Sequence, residues 1–168
     1  MIKFSEINKS KRIVIKIGSS LLINENGKAD QKWLENFAED IFNLKKKEII
    51  IVASGAVSLG KKYLDLSNHE SNINSKQAYA ACGQVILMNN FIKVFQKKKK
   101  KVAQVLLTFS DTENRRRSLN SRETLINLIA TNVIPVINEN DTVATDELKF
   151  GDNDRLAARV AQIIGADT

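Results

Sequence analysis

The segment VIPVINENDTVATDELKFGDND crowds carboxylates and carboxamides into one stretch of an otherwise basic chain. Asn138, Glu139, Asn140 and Asp141 come first, then Asp146 and Glu147, then Asp152, Asn153 and Asp154. An asparagine side chain both donates and accepts, so such residues can hold both ends of a zwitterionic substrate. An aspartate can accept from an ammonium group or fix a catalytic lysine through a charge-assisted bond. Calcium is the rival ligand, but the spacing lacks the glycine and terminal glutamate of an EF-hand loop. Helix N-capping accounts for Asp152, Asn153 and Asp154 taken alone. Both clusters on one loop favour a ligand site.

Two further stretches bear on chemistry. In Lys16-Ile17-Gly18-Ser19-Ser20, a lysine near the end of an apolar run is followed by glycine and hydroxyls. Glycine lets the backbone approach an anion, successive amides form a nest, and lysine supplies compact positive charge. The stretch is not a Walker A loop, because the spacing and the GK[ST] ending are absent. A solvent-facing lysine on an edge strand, followed by a tight turn, explains the same residues equally well. Ser54-Gly55-Ala56 stands where an apolar run meets a helical pattern. Amides at a helix N-terminus attract carboxylate or phosphate, while plain capping by Ser54 is the alternative. A serine hydrolase is disfavoured: the G-x-S-x-G elbow is missing, and His69, the single histidine, stands in a polar stretch.

These residues need elements to position them. Apolar runs of strand length alternate with longer amphipathic stretches. RIVIKIG reads as a first strand, EIIIVASGA as a second running straight into a helix, AVSLGKKYL. Between them, spacing predicts a helix from an Asp30 cap to about Lys46, with Trp33, Leu34, Phe37, Ala38, Ile41 and Leu44 on its apolar face. DLSNHESNINS reads as a loop, and a long helix follows over about 76–98, weakened at Gly83. KVAQVLLTF is a third strand, and Asn120 to Glu123 resembles a capping box opening the helix ETLINLIATN. VIPVIN is a fourth strand, with Pro135 expected at a strand start or an unpaired position because it lacks a donor. DNDRLAARVAQIIGA then reads as a helix ended by Gly165.

Strand–helix alternation with nearly continuous apolar strands predicts an α/β fold, a three-layer α/β/α sandwich on a mostly parallel sheet. Ligands in such sheets bind beyond the carboxyl ends of the strands. KIGSS, ASGA and the acidic-amide stretch all fall there.

Composition narrows the class. The 168 residues, 43% hydrophobic, suit one globular domain, and no interdomain linker or repeat is visible. The single Cys82 excludes an internal disulfide and a cysteine metal cage, which favours a reducing, cytoplasmic setting. The start lacks the apolar core of a secretory signal, and no apolar run suggests a membrane span. The net charge of +7 falls to +2 without the five lysines of residues 97–101. A lysine run at a helix end reads as a solvated terminus compatible with the helix dipole. No basic-aromatic interleaving favours nucleic acid as a partner.

The residues also carry a resemblance. KIGSSLL, SGAVSLGK, SKQAYAACGQ, AQVLLTFSDTENRRRSLNSRETL, VIPVINENDTVATDELKFGDND and the closing GAD resemble the glutamate 5-kinases, within the amino acid kinase family. The likeness runs from Arg12 onward, and NENDTVAT with FGDND at this spacing is its most specific part. It implies transfer of the ATP γ-phosphoryl group, with Mg²⁺, to the side-chain carboxylate of L-glutamate, the first step of proline synthesis. It further implies that Lys16 contacts the transferring phosphoryl group and that Gly18, Ser19 and nearby amides cradle phosphate. Ser54, Asp141 and Asn153 match glutamate-binding positions, with Gly55 beside Ser54 and Asn138 in the same loop. Asp154 matches the aspartate that organises catalytic lysines, and Asp152 is a lesser candidate. Proline is implied as a feedback inhibitor acting around residues 145–153. Homo-oligomers are implied as well, with the helix over 74–95 as an interface. By the family pattern, residues 1–168 form the glutamate-binding part of the kinase domain, and the nucleotide-binding half would follow Thr168.

Overall fold

The computed structural model describes residues 4–66, 73–143 and 152–168, with side chains at residues 4–6, 73, 74 and 152 left aside. His69, Asp146, Glu147, the side chain of Asp152 and all but the end of the expected regulatory segment therefore lie outside the described residues. The element order is α1 (Phe4–Lys9), β1 (Arg12–Ile17), α2 (Ser19–Leu22), α3 (Gln31–Asn43), β2 (Glu48–Ala53) and α4 (Ala56–Tyr63). There follow α5 (Ile73–Lys97), β3 (Lys101–Leu107), α6 (Phe109–Glu113), α7 (Arg115–Ala130) and β4 (Val133–Glu139). A 3₁₀ turn (Asp141–Val143) and α8 (Asp152–Ile164) complete it.

The four strands form one parallel sheet in the order β1-β2-β4-β3. Alternate residues of each strand face opposite sides, and the core divides accordingly. Ile13, Ile17, Ile49, Ile51, Ile134 and Val136 join Leu34, Ala38 and Ile41 of α3 and Leu87, Phe91 and Phe95 of α5. Ile50, Val52 and Ile137 join Leu125 of α7 and Leu156, Val160 and Ile164 of α8 on the other face. Helices thus cover both sides, and the expected three-layer α/β arrangement is the observed one. The whole of Ile49 to Ala53 is buried, as a strand covered on both faces requires. Each fully buried Ile or Val there contributes about 1.5–3 kcal/mol.

Local chemistry sets the boundaries. Asp30 accepts from the Trp33 amide at 3.0 Å and starts α3, as its position predicts. Gly165, at φ 62°, ends α8, as the left-handed C-terminal position requires. α3 stops at Asn43, short of Lys46: Leu44 leaves helical geometry at φ −75°, ψ 63°, and Lys46 then turns left-handed at φ 65°.

Two expectations are corrected. Asn120 does not begin a helix: α7 starts at Arg115, where the Asn114 side chain accepts from the Arg117 amide at 3.1 Å. The first turns of α7 lie largely in solvent and Leu125 is its one fully buried residue, so no apolar period marked its true start. The capping box lies earlier, at Thr108 and Asp111 before α6. Gly83 does not interrupt α5, which runs unbroken through it. Pro135 is the third residue of β4, in register with Ala103 of β3, while the ladder to β2 begins at Val136. Its missing donor therefore falls where β4 has no partner in β2.

Beyond α8, the Asp167 amide donates to the Arg12 carbonyl at 2.9 Å and the Val14 amide donates to the Thr168 carbonyl at 2.8 Å. The outer edge of β1 is thus engaged at its first residues. Among the described residues no helix is long and apolar enough to cross a membrane.

Candidate active site

Parallel register brings the carboxyl ends of the strands to one pole. Lys16 is level with Val52 and Ile17 with Ala53, so the turns after β1 and β2 emerge side by side. The Ser54 amide donates to the Ile17 carbonyl at 3.1 Å and ties the two turns together. Leu107 is level with Glu139, so the turn after β4 leaves from the same pole.

Lys16 points to the face covered by α8, and its Nζ lies 2.7 Å from Asp154 Oδ1 in the first turn of that helix. The lysine side chain keeps 33% of its exposure and the aspartate 66%, so both remain accessible to a ligand. An exposed pair of this kind stabilises the fold by no more than about 1 kcal/mol. Gly18 borders this pair: a Cβ there would lie 3.7 Å from Lys16 Nζ. Its φ of −74° suits any residue, so what the glycine supplies is open space beside the ammonium. Ser19 opens α2 and is exposed; its Cβ lies 3.6 Å from where a Cβ on Gly55 would stand.

Ser54 does not cap α4. The N-cap is Gly55, without a side-chain cap, at φ 110°. That conformation favours glycine, and a Cβ would also meet Ile23 Cδ1 at 3.0 Å. The Ser54 hydroxyl instead accepts from Asn153 Nδ2 at 2.9 Å. The first amides of α4 are consequently left without a side-chain acceptor, at the positive end of the helix.

Among the described residues, Asn153 Oδ1 is buried without a hydrogen-bond partner, and so is Asn138 Nδ2. Asn138, 3% exposed, accepts from the Glu139 amide at 2.8 Å through its other atom. A buried unsatisfied amide costs about 1–3 kcal/mol, which a ligand group supplying the missing partner removes. Asp141 begins the 3₁₀ turn beyond β4 and is half-buried. Lys16, Asp154, Ser54 and Asn153 thus form two interlocked pairs; Gly18, Ser19 and Gly55 border them, and Asn138 and Asp141 stand at the end of β4.

Residues 11–168 match the amino acid kinase family. The chain belongs to that family. Among amino acid kinases, it is 53% identical over 164 residues to a glutamate 5-kinase of Pelagibacter ubique, covering 96% of this chain and 45% of that protein. It is 50% identical over 161 residues to a glutamate 5-kinase of Caulobacter vibrioides, covering 94% of this chain and 43% of that one. The chain therefore spans under half the length of these relatives. A UMP kinase from Bacillus anthracis shares the fold at TM-score 0.58 and 19% identity, over 95% of this chain and 63% of that structure. The fold is thus that of an amino acid kinase.

Sequence reasoning missed the residues that hold this candidate site from behind. Gln84, 6% exposed on α5, donates to the Glu139 carbonyl at 3.2 Å and accepts from Gln104 Nε2 at 3.3 Å. It anchors the end of β4 just before Asn140 and Asp141. Gly60 and Gly83 let α4 and α5 touch: a Cβ on Gly83 would lie 1.7 Å from the Ala56 carbonyl oxygen, and one on Gly60 as close to that of Tyr79. α5 is thereby fixed both to the helix that follows Ser54 and to the strand that precedes Asp141. The small residues were the available signal, but their partners are distant in sequence.

Proposed function

We propose that this chain binds L-glutamate as part of an enzyme that transfers the γ-phosphoryl group of ATP to the glutamate side-chain carboxylate, giving γ-glutamyl phosphate for proline synthesis. The observation that carries the reading is the interlocking of Lys16–Asp154 with Ser54–Asn153 at the carboxyl ends of β1 and β2. Identity of about half to proteins named glutamate 5-kinase supports the same substrate.

The chemistry follows from the charges. The carboxylate is already a nucleophile, so no strong base is required. One of its oxygens attacks the γ-phosphorus, the bond from that phosphorus to the β,γ-bridging oxygen breaks, and ADP leaves with the electron pair. Repulsion between two anions is the main obstacle. Lys16, aimed by Asp154, supplies positive charge at the transferring group, and the open space at Gly18 admits phosphate with the amide of Ser19 beside it. The uncapped amides after Gly55, with Ser54, suit the α-carboxylate of glutamate. Asn153 Oδ1 and Asp141 suit the ammonium, and Asn138 supports the same loop. Among the described residues no group of three or more His, Cys, Asp or Glu gathers. Mg²⁺ comes into the reading through the family resemblance, and carried on the nucleotide it would neutralise phosphate charge. Proline, sharing the α-carboxylate and ammonium, competes at the same positions; a cytoplasmic homo-oligomer completes the reading.

The test is glutamate-dependent ADP formation by the purified chain with MgATP, with Lys16→Ala as control and N-acetylglutamate as competing substrate. Turnover with glutamate, lost in Lys16→Ala, supports the assignment. Preference for N-acetylglutamate contradicts the substrate. Glutamate-dependent thermal stabilisation without turnover identifies this chain as a glutamate-binding part.

A further inference from the structure

At the pole opposite Lys16, the fold leaves positive charge uncompensated around a cavity. The returns from α3 to β2, from α5 to β3 and from α7 to β4 all meet there, because the strands are parallel. They enclose a cavity of about 420 Å³. Ile49 and Ile134 contribute apolar surface, and Phe42, Lys45, Lys46, Lys47, Lys100 and Asn132 line the rest.

The fate of each charge is informative. Among the described residues Glu48 is the one carboxylate in the lining, and it is taken by Arg12 at 2.8 Å and Lys11 at 3.4 Å. Lys47 donates to the carbonyls of Asn8 and Ser10. Among the described residues, Lys100 reaches only the Asn132 side-chain oxygen, at 3.4 Å. Lys45 and Lys46 have no carboxylate within ion-pair distance among the described residues. Lys97 and Lys98 of the same lysine run, by contrast, pair with Glu35 and Glu39 outside the cavity. The run is therefore neutralised where it faces α3 and left bare where it faces the cavity.

Backbone conformation points the same way. Lys46 at φ 65° and Asn132 at φ 60° occupy left-handed positions after helices, where glycine is the least strained residue. A cationic and a carboxamide side chain stand there instead, both lining the cavity. Phe42, 41% exposed, adds an aromatic wall.

We propose that this cavity binds a small multivalent phosphate anion, with Lys45, Lys46 and Lys100 as its cationic partners and the Phe42 wall accommodating an attached apolar group. Lysine ammoniums on flexible stems act as point charges toward phosphate, and three of them beside one apolar-floored cavity favour more than one anionic charge. The volume suits a small molecule.

The test titrates inorganic triphosphate calorimetrically into the purified chain and four variants. These are Lys45→Glu/Lys46→Glu, Lys100→Ala, Lys16→Ala, and a charge-matched control, Lys32→Glu/Lys93→Glu, placed away from the cavity. The expected result is saturable binding that weakens at least about tenfold in Lys45→Glu/Lys46→Glu, as loss and reversal of two nearby charges requires. Lys100→Ala, which removes one half-buried ammonium, shows a loss in the same direction. The control stays within about twofold of the parent, a difference of a few tenths of a kcal/mol. Absence of saturable binding, or an equal loss in the control, overturns the proposal in favour of general attraction to a basic surface. Loss in Lys16→Ala alone overturns it by placing triphosphate at the other pole. Binding of a short single-stranded RNA without binding of triphosphate overturns it in favour of a nucleic-acid surface.

Discussion

The Asn153 carboxamide donates to the Ser54 hydroxyl at 2.9 Å, joining positions 99 residues apart in the chain. The bond leaves Asn153 Oδ1 buried and without a partner among the described residues. Ser54→Ala strands the other half of the carboxamide too. It is expected to destabilise the chain by about 1–3 kcal/mol and to abolish stabilisation by glutamate. Thermal melts with and without glutamate measure both effects; a variant that still gains stability from glutamate removes Ser54 from the site.

Lys16→Met separates function from stability. The Lys16–Asp154 pair is largely exposed, so the variant's stability should fall by no more than about 1 kcal/mol. ADP formation should disappear at the same time. A denaturant melt alongside the turnover assay checks this, and retained turnover counts against Lys16 as the phosphoryl contact.

Gly83→Ala sets helix propensity against packing. Propensity alone favours alanine by about 1 kcal/mol in a helix interior. The added Cβ, however, would stand 1.7 Å from the Ala56 carbonyl oxygen, which is backbone and cannot swing aside. We expect a net loss of about 2 kcal/mol or more, read from the urea midpoint. A gain in stability would mean that α4 and α5 do not touch at this point.

Gln84→Met tests the support of β4. The thioether keeps the volume but gives up the bonds to the Glu139 carbonyl and to Gln104. A loss of about 1–3 kcal/mol is expected, together with weaker glutamate binding, because Asn140 and Asp141 follow directly. Unchanged affinity in a destabilised variant would confine Gln84 to a structural role.

Asp111 carries a pH dependence of known sign. Burial pushes its carboxyl up, but the hydroxyl and amide of Thr108 and the nearby Arg117 outweigh this and hold it below the ordinary value. With the folded value depressed, the stabilisation is fully present above the ordinary carboxylate range, around pH 4. It is lost as pH falls through the folded value. Asp111→Asn should flatten that acid slope and cost about 0.5–2 kcal/mol at neutral pH, as loss of a capping box does. Melts from pH 7 to pH 3 compare the two chains.

The sequence by itself determined the layers, the parallel sense of the sheet and the pole at which the candidate residues gather. Those depend on local patterns: continuous apolar runs such as Ile49 to Ala53, the cap at Asp30, the glycine at 165. Each is satisfied by residues within a few positions of one another. It did not reveal the start of α7, because Arg115 to Asn120 face solvent and leave no apolar period to read. Only the tertiary structure set aside the capping role for Ser54, since Asn153 reaches it from the far end of the chain. Only the tertiary structure turned Gly83 from a weak point into a contact and placed Gln84 beneath Glu139. The physical reason is common to all three. A side chain's role in a packed interior depends on atoms that close on it from distant segments, and parallel strands joined by helices make those separations long.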